Sequence, residues 1–176
     1  MRIDNDIKLD YSDVLIRPKR STLKSRKQVR LERTFKFRNS KAEYEGVPIM
    51  AANMDGVGTF KMADTLAEQN IFTCLVKTYS VDELVEFFDI DYFGKPFQTE
   101  RSKYTAMSIG TSDADFNKLV QVHATVADGR LKYVCMDIAN GYSDHFAQHV
   151  KKVREAFPNI VIIAGNVVTG EMTEEL

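Results

Sequence analysis

At 176 residues the chain has the length of one α/β domain, with enough apolar sequence to bury a core. Its 24 Lys and Arg against 25 Asp and Glu leave a formal net charge of −1, which argues against a nucleic-acid binder or a membrane-surface protein. No stretch approaches the roughly 18 apolar residues that a membrane span needs. The first residues, Met1-Arg2-Ile3-Asp4-Asn5-Asp6, offer no apolar signal segment. Cys74 and Cys135 each sit inside an apolar run and read as reduced core thiols rather than a disulfide, so a reducing, cytoplasmic setting is expected.

Met1 to Tyr44 reads as an irregular arm with a small hairpin, its strands at Val29-Arg30-Leu31 and Thr34-Phe35-Lys36-Phe37. Between Arg17 and Arg38 the arm holds ten basic residues and a single acid, Glu32. Such a charge run suits phosphate contacts and makes RNA binding a rival reading. Only Phe35 and Phe37 offer stacking surface there, however, so a solvated arm or a subunit contact is the expectation, with no nucleic-acid partner.

After Gly46 the period changes. The apolar run Val47-Pro48-Ile49-Met50-Ala51-Ala52 is a strand, Asn53-Met54-Asp55-Gly56-Val57-Gly58 a loop, and Thr59 the cap of a helix carrying Phe60, Met62, Ala63, Leu66 and Ala67. The alternation repeats as strand Ile71–Val76 with the helix opened by Ser80, strand Tyr104–Ile109 with helix Asp113–Ala127, and strand Leu131–Asp137 with a helix capped by Ser143. A fifth strand, Asn159–Ala164, leads into a helix started at Thr169. Strands this apolar belong to a parallel sheet covered on both faces. Polar residues collect at their C-terminal ends, where α/β ligands sit. Periodicity alone leaves a barrel and a doubly wound sheet both open. A closed barrel needs eight strands and usually about 250 residues, so the expectation is a chain that continues beyond Leu176.

Three segments resemble one family. Tyr11-Ser12-Asp13-Val14-Leu15-Ile16-Arg17-Pro18 is similar to the N-terminal arm of the IMP dehydrogenase/GMP reductase family. Ala52-Asn53-Met54-Asp55 with Val57-Gly58-Thr59-Phe60 resembles its first barrel strand and loop. Asp137-Ile138-Ala139-Asn140-Gly141-Tyr142-Ser143 and Gly165-Asn166-Val167-Val168-Thr169-Gly170 resemble its fourth and fifth strand ends. The second helix runs on to the third strand without a large inserted module, which favours the reductase branch.

The resemblance implies a TIM (β/α)8 barrel of which only about the first five strands are present: an arm over residues 1–45 and half a barrel over 46–176, cut in the fifth helix. It implies NADPH-dependent reductive deamination of GMP to IMP and ammonia, through a thioimidate on a cysteine beyond residue 176, with a potassium ion and a homotetramer in the complete enzyme. An IMP dehydrogenase-like oxidoreductase, or a non-catalytic half-barrel binding module, are the alternatives. Carried over residue by residue, Lys77 and Asp137 are the catalytic candidates within the chain, both also facing the cofactor together with Ser108, Gly110, Thr111, Asn140 and Gly141. Asn53, Met54, Asp55, Gly165 and Asn166 fall on the substrate side. Gly56 and Thr78 depart from the threonine and histidine of the family pattern.

Read without the family, Asp137 is an acid at the exit of an apolar strand, Lys77 a lysine free to snorkel, and Gly110-Thr111-Ser112-Asp113 a helix start whose amides suit an anion. No P-loop or GxGxxG is present. His145 and His149 have the i, i+4 spacing of metal ligands but lack the zincin glutamate, so a solvated helix face and no metal site are expected.

Overall fold

The computed structural model describes residues 7, 9–89, 101–127 and 129–176. Two compact units divide between Arg30 and Leu31. Taken by itself, the first unit holds two single-turn 3-10 segments, Tyr11–Asp13 and Arg26–Gln28, capped by the side chains of Asp10 and Ser25. The second unit begins with a hairpin whose partners differ from the expected ones. Strand β1, Arg33–Lys36, pairs antiparallel with the start of β2, Glu43–Ala51, rather than with Val29–Leu31. The alternation in Glu43-Tyr44-Glu45-Gly46 decides this, because it buries Tyr44, whose ring stacks on Phe35 with centroids 6.4 Å apart. β2 therefore runs unbroken through residue 45.

Four βα units follow β2 and its helix. The helices are α1 (Phe60–Ala67), α2 (Val81–Phe88), α3 (Asp113–Thr125), α4 (Asp144–Ala156) and α5 (Gly170–Glu175). Each starts where a hydroxyl stands ready: Thr59, Ser80, Ser112, Ser143 and Thr169 all accept the backbone N–H three residues on. Glu83 closes a reciprocal capping box on Ser80. The strands between them are β3 (Ile71–Cys74), β4 (Thr105–Ile109), β5 (Tyr133–Asp137) and β6 (Val161–Gly165). The run from α2 to β4, on which the lack of an inserted module was read, crosses residues 90–100, outside the described residues.

The sheet order is β1-β2-β3-β4-β5-β6, parallel from β2 onward. A doubly wound sheet reverses its order at a switch point, and this one does not. Curvature points the same way. Laid flat, β2 and β5 would stand about 14 Å apart across three strand spacings. Asn53, just past β2, nonetheless hydrogen-bonds Asp137 at the end of β5 over 3.0 Å. The sheet is rolled, as barrel strands are, but six strands do not close it.

Period-two alternation sorts the strand residues into two cores. Leu75, Met107, Ile109, Val134 and Met136 face the helices and pack on Leu84, Phe88, Leu119, Phe146 and Val153. Phe72, Cys74, Tyr104, Ala106, Tyr133, Cys135 and Val161 line the concave face. Strands buried on both sides must be apolar throughout, which is why they were visible in the sequence.

One expectation about the helices needs correction. His149 was expected on a solvated face and is only 5 % exposed, because α4 turns that side of its surface toward Phe116, 6.1 Å away between ring centroids. His145, one turn earlier, is exposed.

Burial, and then the charge of Lys152 and the neighbouring His145, push the His149 imidazole below its ordinary 6.5. Below pH 6.5 the unfolded chain takes up a proton that the folded chain resists, so stability falls as pH drops through that window and is full above it. His149→Phe should therefore raise the melting temperature more at about pH 5.5 than at about pH 8. Equal shifts at both pH values, read by circular dichroism, would reject this account.

Candidate functional site

Three strand ends converge on Asp137. Asn53 donates its side-chain N–H to Oδ2 at 3.0 Å, and Asn166, just past β6, donates to Oδ1 at 3.2 Å. The Asn166 amide also reaches the Ile138 carbonyl at 3.2 Å. An ionised carboxylate is an acceptor only, with about four lone-pair positions, so two amide donors orient it without saturating it. The carboxylate is half-buried, with acceptor capacity to spare.

The backbone behind Asp137 is equally constrained. Ile138 N–H donates to Gly165 O, Asn166 N–H to Ile138 O and Gly141 N–H to Asn166 O, each at 2.9 Å. Gly141 permits that approach: a Cβ there would stand 2.7 Å from Asn166 O and 2.8 Å from Val167 Cγ1. The Gly165–Asn166 peptide is cis.

A second cluster gathers at the ends of β3 and β4. Lys77 does not end a strand, since β3 stops at Cys74; it lies exposed in the following turn, as does Thr78. Lys77 O accepts from Lys118 Nζ at 2.8 Å, and Lys77 Nζ comes within 4.0 Å of where a Cβ on Gly110 would stand.

The anion position at the start of α3 is already filled by the protein. The Asp115 carboxylate takes the Ser112 hydroxyl at 2.6 Å and the amides of Gly110 and Ser112. Burial pushes the Asp115 carboxyl up, but those bonds and the charge of Lys77 outweigh it and hold the group below the usual carboxylate range. Asp115 thus competes with any anion for the Gly110 and Ser112 amides.

The remaining candidates scatter. Ser108 is buried beside Cys135 on the concave face, its hydroxyl without an oxygen or nitrogen partner among the described residues. Thr111 is half-buried at the rim, while Asn140 is exposed and accepts the Tyr142 N–H at 3.0 Å. Met54 and Asp55 are exposed in the β2–α1 loop. Gly56 in that loop has φ +74, a left-handed turn that glycine adopts without strain and threonine does not. The departure at Gly56 therefore fits the backbone observed.

Both cysteines are free and buried. The Cys74 thiol lies 3.2 Å from Met50 Sδ, and contact with Cys135 together with burial pushes it well above the ordinary thiol range. A nucleophile must be a thiolate, which this disfavours at Cys74. Contact with Cys74 holds Cys135 below the ordinary range although burial opposes it, but Cys135 is buried in the same apolar layer as Cys74, away from the rim. Among the described residues no group of three or more His, Cys, Asp or Glu is arranged to hold a metal ion.

Two participants escaped the sequence reading. Asp115 had a signal, the Ser112-x-x-Asp115 spacing of a capping box. Tyr142 had none, since its partners Val168 and Thr169 lie more than twenty residues away and only the fold brings them together.

An acid gripped at the C-terminal rim of a rolled parallel sheet accompanies a match to the family model described as IMP dehydrogenase / GMP reductase domain, over residues 8–176. The chain belongs to the IMP dehydrogenase/GMP reductase family. GMP reductase of Salmonella paratyphi B is 54% identical over 176 residues, covering 100% of this chain and 48% of that protein. GMP reductase 2 of Bos taurus is 52% identical over 174 residues, covering 99% of this chain and 47% of its own. The chain thus spans about half the length of the curated relatives it matches. The crystal structure of inosine 5' monophosphate dehydrogenase from Legionella pneumophila superposes with a TM-score of 0.70, over 93% of this chain and 46% of that one. At 21% identity the likeness speaks for the fold, the N-terminal part of a TIM-barrel-type protein, and for nothing finer. No described helix is long and apolar enough to cross a membrane.

Proposed function

We propose that this chain forms the cofactor-orienting half of an NADPH-dependent GMP reductase, an enzyme that converts GMP to IMP and ammonia in the cytoplasm. The grip of Asn53 and Asn166 on Asp137 is the observation that carries the reading. A carboxylate fixed in direction, with lone pairs to spare, suits N–H and O–H donors such as the carboxamide and ribose of a nicotinamide nucleotide. Lys77, exposed at the same rim, supplies a point charge for an anionic ligand. When bound, the cofactor supplies the hydride. Asp137 orients it through a carboxylate whose direction Asn53 and Asn166 set.

On this reading Ser108, Gly110, Thr111, Asn140 and Gly141 line the cofactor side, and Asn53, Met54, Asp55, Gly165 and Asn166 the GMP side. Asn53 and Asn166 then have two tasks, since each also holds Asp137. The cysteine that forms the thioimidate, and the ligands of a potassium ion, are assigned to no residue of this chain. The complete enzyme assembles as a homotetramer, with the basic arm as a subunit contact.

A chimera in which this chain replaces the matching half of the Salmonella relative tests the proposal. It should consume NADPH in the presence of GMP. Asp137→Asn in that chimera keeps the size and removes the charge, so a charge-assisted bond worth about 1.5–3 kcal/mol is lost. That corresponds to a fall in kcat/KM for NADPH of roughly 10- to 100-fold. Unchanged kinetics in the variant would remove Asp137 from the site.

A further inference from the structure

Asn166 is exposed, as are Val168 and Thr169 after it, yet its amide stays on Asp137. The backbone bonds among Ile138, Gly141, Gly165 and Asn166 account for the loop up to Asn166. Beyond that point the Val168 side chain is 90 % exposed and anchors nothing. Val167 is half-buried close to Gly141, and the next polar hold on this loop among the described residues is a phenol. Tyr142 Oη accepts the Val168 N–H at 2.8 Å and donates to Thr169 Oγ1 at 3.2 Å.

Tyr142 is itself fixed from the other side, where its N–H donates to Asn140 Oδ1 at 3.0 Å. Its side chain spans from the β5–α4 loop to the β6–α5 loop, and its residue is 43 % exposed. Apolar burial therefore accounts for only part of what it does. Donating to Thr169 also leaves that hydroxyl a lone pair for the Met172 N–H, so the cap of α5 and the tether coexist on one oxygen.

We infer that Tyr142 is a positioning residue, whose hydroxyl ties the β6–α5 loop to the β5–α4 loop and so keeps the Asn166 amide on Asp137. Its consequence for the reaction rests on the reading of Asp137 given above, whereas the tether stands on geometry alone. Removing the hydroxyl while keeping the ring frees residues 167–169 to open, and Asn166 is the first side chain to leave.

The test compares the chain with Tyr142→Phe by amide hydrogen exchange and by the side-chain amide resonances of Asn53 and Asn166. Exchange at Val168 should accelerate roughly 3- to 10-fold. The Asn166 signals should move toward free-amide positions, while amides in α3 and β4 keep their protection. In the chimera the same substitution should raise KM for NADPH more than it lowers kcat. Val168 and Asn166 signals identical to the parent's would overturn the inference, and so would equal loosening of α3 and β4, which marks a general loss of stability. Val168 and Asn166 loosened as expected, in a protein whose Asp137→Asn variant keeps its kinetics, would keep the tether and discard the functional reading instead.

Discussion

Phe146→Ala should cost the chain about 3–5 kcal/mol, the largest single-residue loss expected here. Phe146 is fully buried in the first turn of α4, on the side facing the sheet, within the layer that contains Met136, Val150 and Val153. Truncation removes most of an aromatic side chain from contact, and backbone held by the Ser143 cap has little freedom to collapse into the space. Domains of this size are typically stable by about 5–15 kcal/mol, so the variant should sit near its unfolding midpoint under mild conditions. Urea titration followed by far-UV circular dichroism measures the loss. A change below about 1 kcal/mol would mean that the helix-side core is not packed as described.

In isolation the chain should associate with a second copy of itself, and Ile163→Lys should return it to monomer. Among the described residues β6 pairs only with β5, which leaves one row of N–H and C=O groups without a strand partner along Val161–Gly165. The concave face is open as well. Phe37, Met50, Phe72, Tyr133 and Ile163 surround an apolar hollow of about 230 Å³, and Ile49 beside it is 62 % exposed. On the other side of β6, Ile162 and Ala164 border a larger hollow of about 640 Å³ against α4 and α5. Contiguous apolar surface beyond a few hundred Å² is uncommon on monomers. Ile163 belongs to both features, at the free strand and on the open face, so a lysine there puts a charge where a partner would dock. Sedimentation velocity at several concentrations reads the outcome. A parent chain that stays monomeric at about 100 μM, without binding an apolar-surface dye, contradicts the argument.

The βα rhythm was legible because each of its signals is local. Thr59, Ser80, Ser143 and Thr169 announce their helices within three residues, and β4 and β5 are apolar runs because both their faces are buried. The acid at the exit of β5 was legible for the same reason, as the first charge after an apolar run. The hairpin partner was not, because Val29–Leu31 is as extended in pattern as the true partner and only the packing of Tyr44 on Phe35 selects Glu43–Gly46. Nor was the burial of His149, which depends on where α3 lies against α4.

The order of strands and helices, their caps, the family and the row of polar residues at the strand ends all follow from local sequence. Periodicity and capping act over a few residues, and the family signature is a matter of residues in line. The tertiary structure decided which of those polar residues meet. Asn53 and Asp137 are 84 positions apart and touch only because the sheet is rolled, a property of strand twist and side-chain volume summed over the whole sheet. Asp115 took the amides expected for a ligand, and Tyr142 closed two loops on each other, because hydrogen-bonding groups near the surface pair with whatever the fold brings within about 3 Å.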